Sequence, residues 1–173
     1  MTIKEQITRL AEHREGTLAK CSTADIIEWI AAAADLWRAT HSKWLERAAR
    51  EGSVVTGFSP EMIRLGLKDF FEDVNRSTLT AWVFGENGGR AEGWRDGRGL
   101  PRVVTHIFSG NLPNAAFQSL LSGLLVKAAN VCKCASGDPM LPKLFAKSLM
   151  EVDAELGRCI LFLDWKGGNE IVE

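Results

Sequence analysis

The longest stretch without Asp, Glu, Lys or Arg, residues 103–126, is interrupted by His106, Gly110, Asn111, Pro113, Asn114 and Gln118, so the sequence offers no candidate for a membrane-spanning helix. No secretory leader is expected either, because Lys4, Glu5 and Arg9 interrupt the apolar residues of the first eleven positions. Neither sign of charge is in excess: 21 Lys and Arg stand against 22 Asp and Glu. That balance gives no basic field for nucleic acid or an anionic membrane, and the expected location is cytoplasmic. Histidine is scarce, at three, and all three are distant in sequence, so no metal site is expected. The cysteines number four, Cys21, Cys132, Cys134 and Cys159, and read as small buried hydrophobes in a reducing compartment.

The first half is rich in helical signals. From Ser22 to Arg50 there is no Gly or Pro, and Ile26, Ile27, Ile30, Ala33, Ala34, Trp37, Trp44 and Leu45 recur at helical spacing. The spacing predicts one long helix from about Thr23 to Arg50, capped by Ser22 or Thr23 and stopping at Glu51-Gly52. A second helix is expected after Ser59, with Pro60 in its first turn, through Phe70 and Phe71, and a third over Arg76 to Phe84. Trp29, Trp37, Trp44 and Trp82 lack an accompanying basic cluster and are read as core. Residues 85–102 then contain six Gly and four Arg, which predicts a loop or irregular hairpin. Glu86, Glu92 and Asp96 alternate with those arginines and favour a solvated surface over an anion site.

Beyond Pro101 strand and helix patterns alternate. "RVVTHIF", "NVCKCA" and "RCILFLDW" are short apolar runs rich in strand formers, and "LPNAAFQSLLSGLLVKA" and "PMLPKLFAKSLMEVDAEL" separate them as helices. Near-continuous apolar strands between helices indicate a parallel sheet with right-handed crossovers, one βαβαβ half of a nucleotide-binding domain. The expected fold is therefore α/β: a helical region over 1–84, a Gly-rich loop over 85–101, and a three-stranded parallel βαβαβ unit over 102–173. With no fourth strand to pair with the first, Arg102 to Phe108 should present an unpaired apolar edge, and self-association is expected there or through the Trp-bearing helix. In such sheets ligands bind at the carboxyl ends of strands, beside helix N-termini, which draws attention to the turn in "HIFSGNLPNAAF".

The run "HIFSGNLPNAAFQSLLSGLLVKAANVCKCASGDP", with the later "FLDWKGG", resembles the acyl-CoA reductase family, which includes the long-chain fatty acyl-CoA reductases of bacterial luciferase operons. More distantly it is similar to the aldehyde dehydrogenase superfamily. The resemblance implies reduction of a fatty acyl-CoA or acyl-protein to an aldehyde with NADPH, through a thioester on a nucleophilic cysteine. It implies that Asn111 donates its amide N–H to the oxyanion of the tetrahedral intermediate, a neutral donor aimed at developing negative charge. It further implies that Lys133 reaches the adenosine ribose of the cofactor. Ser136, small and uncharged where a carboxylate would repel a 2′-phosphate, favours NADPH. None of the four cysteines matches the family's nucleophile, and the chain ends before the family's later glycine-rich turn and acidic residue. The expectation is an amino-terminal portion of such a reductase, inactive alone and self-associating. The alternative is a non-catalytic interaction or scaffold subunit that uses the helix over 23–50.

Overall fold

The computed structural model describes residues 1–85, 100–108, 113–134 and 140–164. Among the described residues five helices precede the sheet: α1 (Ile3–Gly16), α2 (Thr23–Arg38), α3 (Lys43–Thr56), α4 (Pro60–Asp73) and α5 (Arg76–Gly85). Helix α1, to which the sequence reading assigned no element, starts on a capping box in which Thr2 and Glu5 satisfy each other's backbone N–H groups. Helix α4 begins as expected, with Ser59 as N-cap and Pro60 in the first turn, and α5 falls where the third helix was expected.

The long helix expected over 23–50 is two helices. The chain leaves α2 at Ala39, in an extended conformation, and restarts at Ser42, whose hydroxyl accepts the Leu45 N–H at 3.0 Å. The Arg38 guanidinium ties the end of α2 to α4 by donating to the Phe71 and Val74 carbonyls. Capping by Ser42 and that tether outweigh the helix propensity of the intervening residues, and the break lets Trp37 and Trp44 stack with centroids 6.3 Å apart. The expected stop at Gly52 is also displaced. Helix α3 continues to Thr56, and Gly57, at φ 75°, is its left-handed cap. Gly52 is a packing position: a Cβ there would stand 3.1 Å from Ile63 Cδ1 across the α3–α4 contact.

The sheet consists of β1 (Val103–Ile107), β2 (Ala129–Lys133) and β3 (Ile160–Leu163), all parallel, in the order β1-β2-β3. Helix α6 (Pro113–Leu125) lies between β1 and β2 in the chain. Helix α7 (Met140–Val152) and the short α8 (Ala154–Gly157) lie between β2 and β3. The expected α/β class and the βαβαβ order are both present. Central β2 is buried almost throughout, as a strand covered on both faces must be. One face packs on α6 and α7. The other is covered by α1, whose Ile7 and Leu10 meet Ala129 and Val131 of β2 together with Val103, Leu161 and Leu163.

The main core joins both halves of the chain. Trp37 of α2 is wholly buried against Phe71 of α4, Phe117 of α6 and Phe145 of α7, with ring centroids 4.8 to 6.5 Å away. Its indole N–H donates to Ser148 Oγ at 2.8 Å, and that hydroxyl donates to the Phe145 carbonyl. Trp37 and Trp44 are core residues, and Trp29 and Trp82 pack half-buried against the same cluster.

Candidate active site at the carboxyl end of the sheet

The three strands end level with one another. Ile107 is in register with Lys133, and Lys133 with Leu163, so the last residues of β1, β2 and β3 form one row. The Phe108 N–H extends the ladder by donating to the Lys133 carbonyl at 2.9 Å. Helix α6 starts six residues after Ile107, and α7 seven after Lys133, so each of the first two strands is followed by a short connection and a helix N-terminus. This is the arrangement in which a parallel sheet receives a ligand's anionic groups.

Lys133 is the last residue of β2 and is half-buried on this row. Asn111 and Ser136 belong to 109–112 and 135–139 and lie outside the described residues. So do Asp138 and most of the Gly-rich stretch with Arg90, Arg95 and Arg98. The first turn of α6 is held to α4, with Asn114 Nδ2 donating to the Gly66 carbonyl at 3.3 Å.

Just before the Asn111 segment lies a polar network that the sequence reading missed. His106 of β1 is 5% exposed; its Nε2 lies 2.9 Å from Asn130 Oδ1 of β2 and its Nδ1 2.7 Å from Ser119 Oγ of α6. Asn130 Nδ2 donates to the Ala128 carbonyl at 2.8 Å, which fixes the orientation of the amide. Because Oδ1 can only accept, Nε2 carries the proton; in the neutral ring Nδ1 is then the acceptor, and the Ser119 hydroxyl donates to it. Burial holds the His106 pKa below its usual value, with the Asn130 bond pulling the other way, so the neutral tautomer is the resting state. Gly123 makes room, since a Cβ there would fall 1.9 Å from Asn130 Oδ1. The only signal in the sequence was a His inside an otherwise apolar strand and an Asn at the head of the next, and neither polar residue names its partner.

Three of the four thiols, Cys21, Cys132 and Cys159, are unlike activated nucleophiles. Cys132 and Cys159 are buried, and burial raises the pKa of each, strongly for Cys132. Cys21 is raised as well, by burial first and then by the carboxylates of Asp25 and Asp153, and its S–H donates to the Thr17 carbonyl. Cys134 packs half-buried against the core that encloses Cys132. Among the described residues no group of three or more His, Cys, Asp or Glu is placed to hold a metal ion, and no helix is long and apolar enough to cross a membrane.

A three-stranded parallel sheet with level carboxyl ends, each of its first two strands handing over to a helix, defines an α/β protein built on a parallel βαβαβ unit. Within that class the chain belongs to the acyl-CoA reductase (LuxC) family, whose match runs over residues 18–173 and thus takes in every element but α1. No curated protein matches it.

Proposed function

We propose that this chain supplies the cofactor-binding half and the oxyanion donor of an NADPH-dependent acyl-CoA reductase. The observation that carries this reading is the family match over residues 18–173, laid on a sheet whose carboxyl ends are level. Lys133, at the end of β2, suits the adenosine ribose: its stem is half-buried beside the strand row, and an ammonium donates to hydroxyls. Ser136, three residues on in the sequence, is small and brings no charge to oppose a 2′-phosphate. The bound nicotinamide supplies the hydride. The chain's own part is to fix the adenosine end and to place the Asn111 amide where the thioester carbonyl gains negative charge. An amide suits that role because it donates without titrating. Its loss in an intact reductase of this family is expected to cost about 100-fold or more in acyl transfer with little change in stability.

Cofactor choice tests the reading on the chain itself. Half of a binding cleft holds about 4 kcal/mol, a dissociation constant near the millimolar range. Calorimetric titration with 2′-phosphoadenosine diphosphoribose and with the unphosphorylated compound is expected to favour the former, Lys133→Ala to weaken both, and Ser136→Asp to reverse the preference. Equal binding of the two compounds, unchanged by Ser136→Asp, would sink the NADPH assignment. The scaffold reading relied on one helix over 23–50 with a free face. That helix is divided, and Trp37 and Trp44 are turned into the chain's own core.

A further inference from the structure

The buried polar side chain of β1 is His106, in register with Cys132 near the carboxyl end of the strand. Both ring nitrogens are engaged, by Asn130 of β2 and Ser119 of α6, and each partner is itself anchored: Asn130 by the Ala128 carbonyl, and α6 by the Asn114 bond to the Gly66 carbonyl. The face of the ring is engaged too. It stacks on Phe108, with centroids 5.8 Å apart and planes 25° from parallel. Phe108, itself buried, is the residue whose N–H donates to the Lys133 carbonyl at 2.9 Å, and so closes the β1–β2 ladder at the row of strand ends. An apolar side chain would fill the place of His106 with no buried polar atom to satisfy, whereas a ring fixed at both nitrogens and one face adopts a single orientation. The first two residues of β1, Val103 and Val104, are aliphatic, so the directional contact falls at the carboxyl end.

We propose that His106 is a positioning residue for nucleotide binding: its ring holds Phe108 against the end of β2 and thereby sets where Lys133 meets the adenosine ribose, an inference that rests on the assignment of Lys133 to that ribose. His106 touches no ligand in this role. Side chains alternate along a strand, so His106 and Cys132 share the α6 face of the sheet while Lys133 belongs to the other, and the coupling passes through the backbone bond from Phe108 to Lys133. The arrangement requires a neutral ring. Protonation puts a second N–H on the imidazole, which obliges the Ser119 hydroxyl to turn from donor to acceptor and leaves a buried cation with no partner of opposite charge. The groups around the ring are Ser119 and Gly123 of α6, Asn130 and Cys132 of β2, and Phe108 of β1. None is charged, and burial raises the Cys132 pKa, so that thiol stays protonated while the histidine titrates. Burial puts the histidine's change below its ordinary value of about 6.5; there the ring turns toward water, the stack on Phe108 loosens and the Lys133 carbonyl loses its fixed donor.

Nuclear magnetic resonance titration of the whole chain with adenosine diphosphoribose tests this, since the phosphates of that probe gain no proton as the histidine titrates. Its affinity is expected to fall as pH is lowered through the ordinary histidine value of about 6.5. At neutral pH His106→Leu is expected to weaken binding about threefold or more. His106→Gln, which returns an N–H donor to Asn130 without a titrating ring, is expected to recover most of the affinity and to remove its pH dependence. It leaves His13 of α1 and His41, between α2 and α3, in place, so a pH dependence that persists in it belongs to another group and overturns the proposal. Binding that His106→Leu leaves unchanged overturns it as well. In the unmodified, ligand-free chain the Phe108 and Lys133 amide signals are expected to move with the same midpoint as the His106 imidazole, and amides that ignore that midpoint overturn the proposal with no variant required to fold. Absence of binding at every pH removes the reading of Lys133 and the positioning role with it, whereas binding that is indifferent to His106 removes the positioning role alone.

Discussion

Gly123 sits where α6 crosses the His106–Asn130 pair, and the space it leaves is filled by the Asn130 amide. Gly123→Ala is therefore expected to lower stability by about 1–3 kcal/mol, against the slight gain that Ala usually brings inside a helix. Urea denaturation of the two proteins decides the sign. The same network makes a pH prediction. Because burial depresses the folded pKa of His106, its contribution to stability is complete above the ordinary histidine value of about 6.5 and is lost as pH falls below it toward the folded value. The residues bonded to it, Ser119 and Asn130, carry no charge, so nothing nearby offsets the imidazolium. The thermal midpoint is expected to drop as pH falls from 7 to 5, and His106→Asn to flatten that slope while lowering the plateau. The carboxylates of Glu15, Glu46 and Glu51 are held low by Arg102, Arg64 and Arg47, so they lose their stabilisation only at more acid pH and leave the histidine window clear.

At the scale of elements, α1 is the outlier: it lies before the family match yet closes the second face of the sheet. Its anchor is Arg14, buried, whose Nε donates to the Lys127 carbonyl beyond α6 and whose guanidinium also meets Glu15. Arg14→Met keeps the stem and removes the charged donor, at an expected cost of about 1.5–3 kcal/mol. Hydrogen exchange should then quicken in residues 3–16 and in β2 and β3 before it does in α2 or α4; uniform quickening would show that α1 is not a separable cover. Elements with strong periodic signals were legible. The three strands, α4 and α5 stand where β-branched runs, Ser59-Pro60 and the apolar spacing put them. The α2–α3 break was not, because Ala39 to Ser42 contain no Gly or Pro; what divides the helix is a tertiary demand, the Arg38 tether and the Trp stack, which sequence spacing does not carry. Gly52 misled for the complementary reason. A glycine marks either a chain end or a close approach, and only the position of Ile63 decides which.

For the whole molecule, the candidate site was legible as a place rather than as a geometry. Lys133 ends β2 on the row that the strand-and-helix alternation indicates, whereas Asn111 and Ser136 rest on the resemblance alone. The His106 network escaped because three polar residues from β1, α6 and β2 meet only once the crossover is folded. The state of the thiols leads to a chemical prediction for the intact chain. Incubated with myristoyl-CoA and NADPH, it is expected to form no aldehyde and no acyl adduct on Cys21, Cys132 or Cys159, since a thiol whose pKa is raised presents little thiolate to the thioester. Intact-mass spectrometry checks this; an acyl adduct that disappears with Cys134→Ser would show that the half-buried thiol on β2's end is reactive after all.

The aromatic core has a temporal side. Trp37, Phe71, Phe117 and Phe145 touch one another although they are spread over most of the chain, and Ser148, which satisfies the Trp37 indole, comes later still. As the polypeptide leaves the ribosome, α2 through α5 emerge with their largest side chain facing a hollow that only α6 and α7 can fill. Closing so wide a loop before any of the stacking is gained slows the search for the native state. Until α7 is made, Trp37 has Trp44 and Phe71 but lacks Phe145 and the Ser148 hydroxyl, so the first half is expected to expose apolar surface during synthesis.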